Sequence, residues 1–142
     1  MQTDVHSFSN PGEVTVTHSQ LDLQLDFDKK LIIGKVTHHI DNIESVDKLR
    51  LDIRDIKIKQ VVLNYELTTS FNLGDEKPWM GQCLEIDIEP DTRFVTIYYE
   101  TSPHAAALQW LSPQQTSGGV LPFMFTQSEA ILARSWIPCQ DS

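Results

Sequence analysis

Only two cysteines, Cys83 and Cys139, stand among the 142 residues, too few for the disulfide framework that staples small secreted domains. They lack CxxC spacing, which excludes a zinc ribbon, and two free thiols in a reducing cytosol is the compartmental reading. No run approaches the ~20 consecutive apolar residues that a membrane-spanning helix needs. Met1–Gly12 has neither the basic start nor the apolar stretch of a signal peptide. Basic residues are also scarce: 11 Lys and Arg against 20 Asp and Glu leave a net charge of −9. That diffuse negative field opposes nucleic acid and anionic membrane, both of which need clustered Lys and Arg. It mildly favours a cationic partner, such as a peptide with a free ammonium group.

Catalytic motifs are missing too. The five histidines, His6, His18, His38, His39 and His104, form no HExxH, the spacing that puts two zinc ligands on one helix face. Adjacent His38 and His39 lie in a strand pattern, so their side chains should point to opposite faces, and neither reads as a metal ligand. There is no GxSxG elbow, and Gly118-Gly119 lacks the lysine and spacing of a phosphate loop. The chain carries no self-sufficient catalytic set.

What is present is a period of two. Leu21, Leu23, Leu25 and Phe27 alternate with Asp22, Gln24 and Asp26. Asp28-Lys29-Lys30 reads as a turn, and Leu31–Ile40 as the returning arm of a hairpin with Gly34 a candidate bulge. Leu49, Leu51 and Ile53 alternate with Arg50, Asp52 and Arg54, and a bend is expected at Asp55. Ile56–Leu63 continues as strand with irregular phase near Gln60. Leu84, Ile86 and Ile88 repeat the alternation up to Glu89-Pro90-Asp91, and Phe94–Tyr99 is rich in β-branched and aromatic residues that suit a pleated surface. Asn72–Gly81 reads as a hairpin loop. Short strands with regular turn chemistry and no amphipathic helix predict an all-β fold, with antiparallel sheets packed as a sandwich or saddle. With 40% hydrophobic and 22% charged residues, residues 1–142 suit a single β domain. A chain of this size buries roughly 68–70% of its unfolded surface.

The tail, Leu108–Ser142, is the most specific part. It holds Ala107-Leu108-Gln109-Trp110-Leu111-Ser112-Pro113-Gln114-Gln115-Thr116, then Pro122-Phe123-Met124-Phe125-Thr126-Gln127, and finally Ile137-Pro138-Cys139-Gln140-Asp141. These runs resemble the substrate-facing edge of the N-terminal domain of the gluzincin aminopeptidases, peptidase family M1, and especially their leukotriene A-4 hydrolase-like branch. The likeness extends to Phe8–Val14, Thr17-His18, Leu21-Asp22-Leu23, Gly34-Lys35-Val36 and Leu49–Ile56, which are weaker markers because alternating strands are common.

The resemblance implies a role for Gln127-Ser128-Glu129-Ala130. In the family this stretch leaves the N-terminal domain and lines the cleft beside the zinc. Glu129 would accept hydrogen bonds from the substrate's α-ammonium, Gln127 would shape the pocket for the first side chain, and Ala130 would border it. A charge-assisted bond of that kind contributes roughly 1.5–3 kcal/mol and fixes the distance from amine to scissile carbonyl. Leukotriene-processing members carry Gln at the Glu129 position and many plain aminopeptidases carry Glu, so Glu129 points to peptide hydrolysis. The resemblance also marks Glu129–Ala130 as a candidate non-proline cis bond, with relaxation to trans the alternative in a chain without the catalytic domain.

It implies further that zinc sits in a catalytic domain outside this chain, where it polarises the peptide carbonyl while a glutamate activates water. The chain itself would need no cofactor and would be inert alone, a non-catalytic recognition and docking part of a cytoplasmic zinc aminopeptidase. Its partners would be a peptide with a free N-terminus and its own catalytic domain. Because the family's domain continues past the Pro-Cys-Gln-Asp run, the β fold is expected to be incomplete at the C-terminus, leaving exposed strand edges through which copies self-associate. Trp110, Phe123, Phe125 and Trp136 read as packing anchors, and Arg134 as a residue that pairs with a carboxylate inside the domain. Two other readings stay open: a free-standing β-sandwich module that binds peptides or proteins, and a purely structural domain.

Overall fold

The computed structural model describes residues 4–141. Ten strands follow in order: β1 (Val14–Asp26), β2 (Leu31–Asn42), β3 (Lys48–Ile53), β4 (Ile56–Leu63), β5 (Leu67–Thr69), β6 (Phe71–Leu73), β7 (Gln82–Asp87), β8 (Phe94–Thr101), β9 (Leu108–Leu111) and β10 (Phe123–Thr126). Single 3-10 turns cover Pro113–Gln115 and Ala133–Ser135. No helix among the described residues is long and apolar enough to cross a membrane.

The strands pair antiparallel into a five-stranded sheet ordered β1-β2-β8-β4-β5, a three-stranded sheet ordered β3-β7-β6, and a two-stranded ribbon of β9 and β10. The period-two pattern explains how the two larger sheets meet. Val36, Ile40, Val61, Leu63, Val95, Ile97 and Tyr99 come from one, Leu49, Leu51, Ile53, Leu84 and Ile86 from the other, and together they form a single buried cluster. Alternation alone puts each of these on the inward face, so the antiparallel sandwich expected from the sequence is the fold.

Turn chemistry falls where the sequence places it. Lys29 donates its amide to Asp26 Oδ1 at 2.9 Å and Lys30 adopts φ 56° in the β1–β2 turn. Asp55, at φ 54°, makes the bend between β3 and β4, and the β4–β8 register shifts between Ile58 and Gln60. The loop expected over Asn72–Gly81 is shorter: Asn72 and Leu73 pair with Glu85 and Leu84 in β6, and residues 74–81 connect β6 to β7.

Gly34 is a correction. It is not bulged but sits in continuous register opposite Leu23, and the bulge of this hairpin lies between Val16 and His18. The glycine is needed for close approach: a Cβ there would lie 2.2 Å from the Asp22 carbonyl oxygen. The apolar face of β1 is also less covered than its pattern suggests. Val14 is buried and Leu23 packs on the core, whereas Leu21 and Leu25 remain 43% and 39% exposed on this terminal strand.

His38 and His39 take opposite faces. His38 points inward, where Nε2 donates to the Pro138 carbonyl at 2.6 Å and Nδ1 accepts from Ser19 Oγ at 2.7 Å. A carbonyl can only accept, so this pairing fixes the Nε2–H tautomer. His39 lies between His18 and Phe94, with ring centroids 4.9 and 4.8 Å away.

Candidate functional site

The site begins in the ribbon. β9 and β10 register as Leu111 with Phe123, Trp110 with Met124, Gln109 with Phe125, and Leu108 with Thr126. Opposed residues share a face. Leu108, Trp110 and Met124 therefore turn to a second small cluster with Ile32, Ala105, Leu23 and Trp136. The other face carries Phe123 and Phe125, their centroids 6.5 Å apart. These two are corrected from packing anchors to surface residues, 54% and 45% exposed. A two-stranded ribbon has two faces and the domain covers one. Val120 and Leu121, in the preceding loop, are also exposed, at 75% and 71%.

Gln127 continues the ribbon by donating its amide to the Ala107 carbonyl at 2.8 Å. The chain then turns. The Gln127 side-chain Oε1 accepts from the Glu129 amide at 3.0 Å, Leu132 donates to the Ser128 carbonyl at 3.3 Å, and the Trp136 indole Nε1 donates to Ser128 Oγ at 3.0 Å. Gln127, Glu129 and Ala130 are exposed and Ser128 is half-buried. The Glu129 carboxylate has no hydrogen bond or ion pair among the described residues. The Glu129–Ala130 peptide bond is trans, against the cis bond that the resemblance suggested.

Behind this loop lies the anchor that holds it. Arg134, fully buried, donates from Nε to Asp141 Oδ2 at 3.0 Å, from Nη1 to the Met80 carbonyl at 2.8 Å, and from Nη2 to the carbonyls of His6 at 2.7 Å and Asp141 at 3.1 Å. Asp52, also fully buried, accepts from Ser7 Oγ, the Phe8 amide and the Asp141 amide at 2.5, 2.7 and 3.1 Å. The expected pairing of Arg134 with internal carboxylates is therefore present. The sequence pattern put Asp52 on the wet face of β3. The N-terminal and C-terminal segments fold over that face and bury it.

The C-terminal segment also finishes sheet edges. Asp52 and Cys139 exchange backbone bonds at 2.7 and 3.2 Å, and Arg54 donates to the Arg134 carbonyl at 2.9 Å. The Gln140 side chain donates to the Val14 carbonyl at 2.6 Å and accepts from the Val16 amide at 2.9 Å, acting as a short strand beside β1.

For a metal, the donors do not fit. No three His, Cys, Asp or Glu side chains gather to hold an ion among the described residues. Both cysteines are free, and burial pushes the Cys83 thiol up to about 11 and the Cys139 thiol up to about 12, away from the thiolate a metal would need. What the arrangement offers is one unpaired carboxylate on a hydrogen-bonded loop beside an exposed aromatic face.

Comparison with known proteins follows the same lines. A family model described as the peptidase M1 N-terminal domain matches residues 15–142. The chain is 36% identical over 145 residues to leukotriene A-4 hydrolase of Xenopus laevis, across 98% of this chain and 24% of that protein. It is 35% identical over 142 residues to leucine aminopeptidase 2 of Kluyveromyces lactis, across 98% of this chain and 21% of that protein. Among solved structures, yeast LTA4 hydrolase in complex with bestatin superposes with a TM-score of 0.91 at 33% identity, over 99% of this chain and 23% of that one. An M1 zinc metallopeptidase from Deinococcus radiodurans gives 0.63 at 17% identity, over 91% and 29%; that likeness shows the fold alone. This chain thus spans 21% to 24% of the length of the two curated relatives. By the family model and by fold, the chain belongs to the peptidase M1 N-terminal domain family.

Proposed function

We propose that this domain is the non-catalytic part of a cytosolic zinc aminopeptidase that reads the substrate's free amino end. The observation that carries the reading is Glu129: an exposed carboxylate without a partner among the described residues, on a turn held by its own amide and by the Ser128 hydroxyl. A substrate α-ammonium would supply the missing charge. Gln127, whose Oε1 is committed to the Glu129 amide, and Ala130, small and exposed, would flank the first side chain. Zinc and the groups that activate water would lie in the remainder of the protein, since no cluster of donors gathers among the described residues. The uncovered Phe123 and Phe125 face, with the exposed Val120 and Leu121, would dock against that catalytic domain and bring Glu129 to its cleft. Exposed apolar patches rimmed by polar residues are the usual form of such contacts.

The test uses the full-length protein on aminoacyl chromogenic substrates, with and without a chelator. Chelator-sensitive release of N-terminal residues is expected. Glu129→Ala should lower kcat/KM by about 10- to 150-fold, the loss of one charge-assisted hydrogen bond. The neutral Glu129→Gln should fall between that variant and the native enzyme. Peptidase activity unchanged in both variants sinks the amine-anchoring role.

A further inference from the structure

Glu129 is exposed, and an exposed loop carboxylate ordinarily samples many positions. Ordering it on binding would weaken recognition. The loop here is not free. Its start is fixed by the Gln127 amide on Ala107, its middle by the Trp136 indole on Ser128 Oγ, and the Glu129 amide by Gln127 Oε1. The indole bond is the side-chain tie from this loop to the buried domain. Trp136 is in turn well placed to carry it. It closes the Ala133–Ser135 turn through its own amide on the Ala133 carbonyl at 3.1 Å, and it packs on the Ile32, Ala105 and Leu108 cluster. That turn is anchored on both sides, by the Arg134 contacts and by Ser135 Oγ. The Ser135 hydroxyl donates to the Leu132 carbonyl at 2.7 Å and accepts from the Ala107 amide at 2.9 Å. Ala107 is thus bonded both to the loop's first residue and to the turn that holds Trp136.

We propose that Trp136, acting through Ser128, is a positioning residue that presets the Glu129 carboxylate for a substrate amine. This rests on the amine-reading role of Glu129. Pre-organisation of a contact by a supporting hydrogen bond strengthens ground-state binding more than it alters the chemical step. The signature is therefore a change in KM with kcat preserved.

The experiment uses the full-length enzyme. Trp136→Phe removes the indole N–H and keeps a ring against the apolar cluster, Ser128→Ala removes the acceptor, and Ser128→Thr keeps a hydroxyl. Trp136→Phe and Ser128→Ala should each raise KM for free-amine substrates roughly fivefold, with kcat within about twofold of native. The double variant should be no worse than either single one, because one bond is lost only once. Ser128→Thr should stay near native. In a Glu129→Ala background, Trp136→Phe should change KM no further. Native KM in Trp136→Phe, with activity lost in Glu129→Ala, overturns the positioning role and leaves the amine-reading role intact. Native activity in Glu129→Ala removes both. Additive losses in the Glu129→Ala background, or a kcat that falls in step with Tm, would mean general support of the fold and also overturn the proposal.

Discussion

Arg134 and Asp52 lie wholly buried with Nη1 3.7 Å from Oδ1, and between them they fasten both chain ends to strand β3. Arg134 reaches His6, Met80 and Asp141, and Asp52 reaches Ser7, Phe8 and Asp141. Two residues thus gather the N-terminal and C-terminal segments on one strand, the latter also bridged to it by Cys139. The same Arg134 sits in the turn that carries Trp136, so the clamp and the candidate site share one element.

Breaking that clamp should be costly. Removing one partner leaves the other buried with its charge only partly balanced, by hydrogen bonds at Asp52 and by Asp141 at Arg134, a loss of up to about 3–5 kcal/mol. Arg134→Met, which keeps volume and removes charge, and Asp52→Asn are the variants of choice. Chemical denaturation should show the larger loss for Arg134→Met, because it strips four guanidinium hydrogen bonds where Asp52→Asn keeps an acceptor. Stability within 1 kcal/mol of native, roughly the scale of one ordinary hydrogen bond, would refute the clamp.

Gly81 tests a backbone demand. It adopts φ +82°, and a Cβ there would lie 2.1 Å from the Ile53 carbonyl oxygen and 3.0 Å from the Arg54 Cβ. Gly81→Ala should therefore cost more than the ~1 kcal/mol of a positive-φ alanine alone, since the close backbone must also move. A thermal shift no larger than that of Gly118→Ala, whose glycine has φ +84° and open space around it, would show that the contact is relieved cheaply.

How much of this was legible in the sequence depended on range. Leu49, Leu51 and Ile53 announce an inward face because the strand's period of two is set locally, and Leu84 and Ile86 answer them across the register. Asp55 and Lys30 announce turns for the same local reason. Asp52 could not be read that way: it shares the polar parity of Arg50, and only segments 44 and 89 residues away bury it. Phe123 and Phe125 misled in the opposite direction. Aromatic density suggests a core, but which ribbon face is covered depends on tertiary placement. The Gln127–Ala130 stretch carries no intrinsic signal, and only its resemblance to a family drew attention to it. Ser128 and Trp136 had even less, since a serine eight residues before a tryptophan is unremarkable until the chain turns back.

Acid should weaken the fold through His38. Burial holds its pKa below the ordinary 6.5, with the bond to the Pro138 carbonyl opposing that shift. A base with a depressed folded pKa is protonated more readily when unfolded. The stability it contributes is complete above about pH 6.5 and declines as pH falls from there toward the folded pKa. Denaturation across about pH 7 to 5 should show a loss that His38→Gln lacks. Identical slopes for the two proteins would mean that His38 is not the titrating group.

The two half-buried thiols should be slow nucleophiles. With Cys83 pushed up to about 11 and Cys139 up to about 12, little thiolate exists near neutral pH. Alkylation of the native protein should proceed far more slowly than that of the denatured chain, Cys139 slowest. Equal rates before and after denaturation would contradict the raised pKa of both thiols.

The 142-residue chain on its own should self-associate, and β1 is the edge most open to it. The β3 edge is closed at Asp52 and Arg54 by Cys139 and Arg134, and β5 and β6 offer three residues each. β1 is shielded at Val14 and Val16 by Gln140, but from Leu21 to Asp26 it is a terminal strand with two half-exposed leucines. An unpaired strand with apolar side chains is a template for a second copy, although the net charge of −9 works against close approach. Sedimentation at rising concentration should therefore show a growing dimer, favoured by salt, which screens that charge. Leu25→Lys, which adds a lysine to the open edge, should return the chain to monomer. Concentration-independent monomer in the native chain would refute association. Association that persists in Leu25→Lys would move it to another surface, such as the exposed Phe123 and Phe125 face.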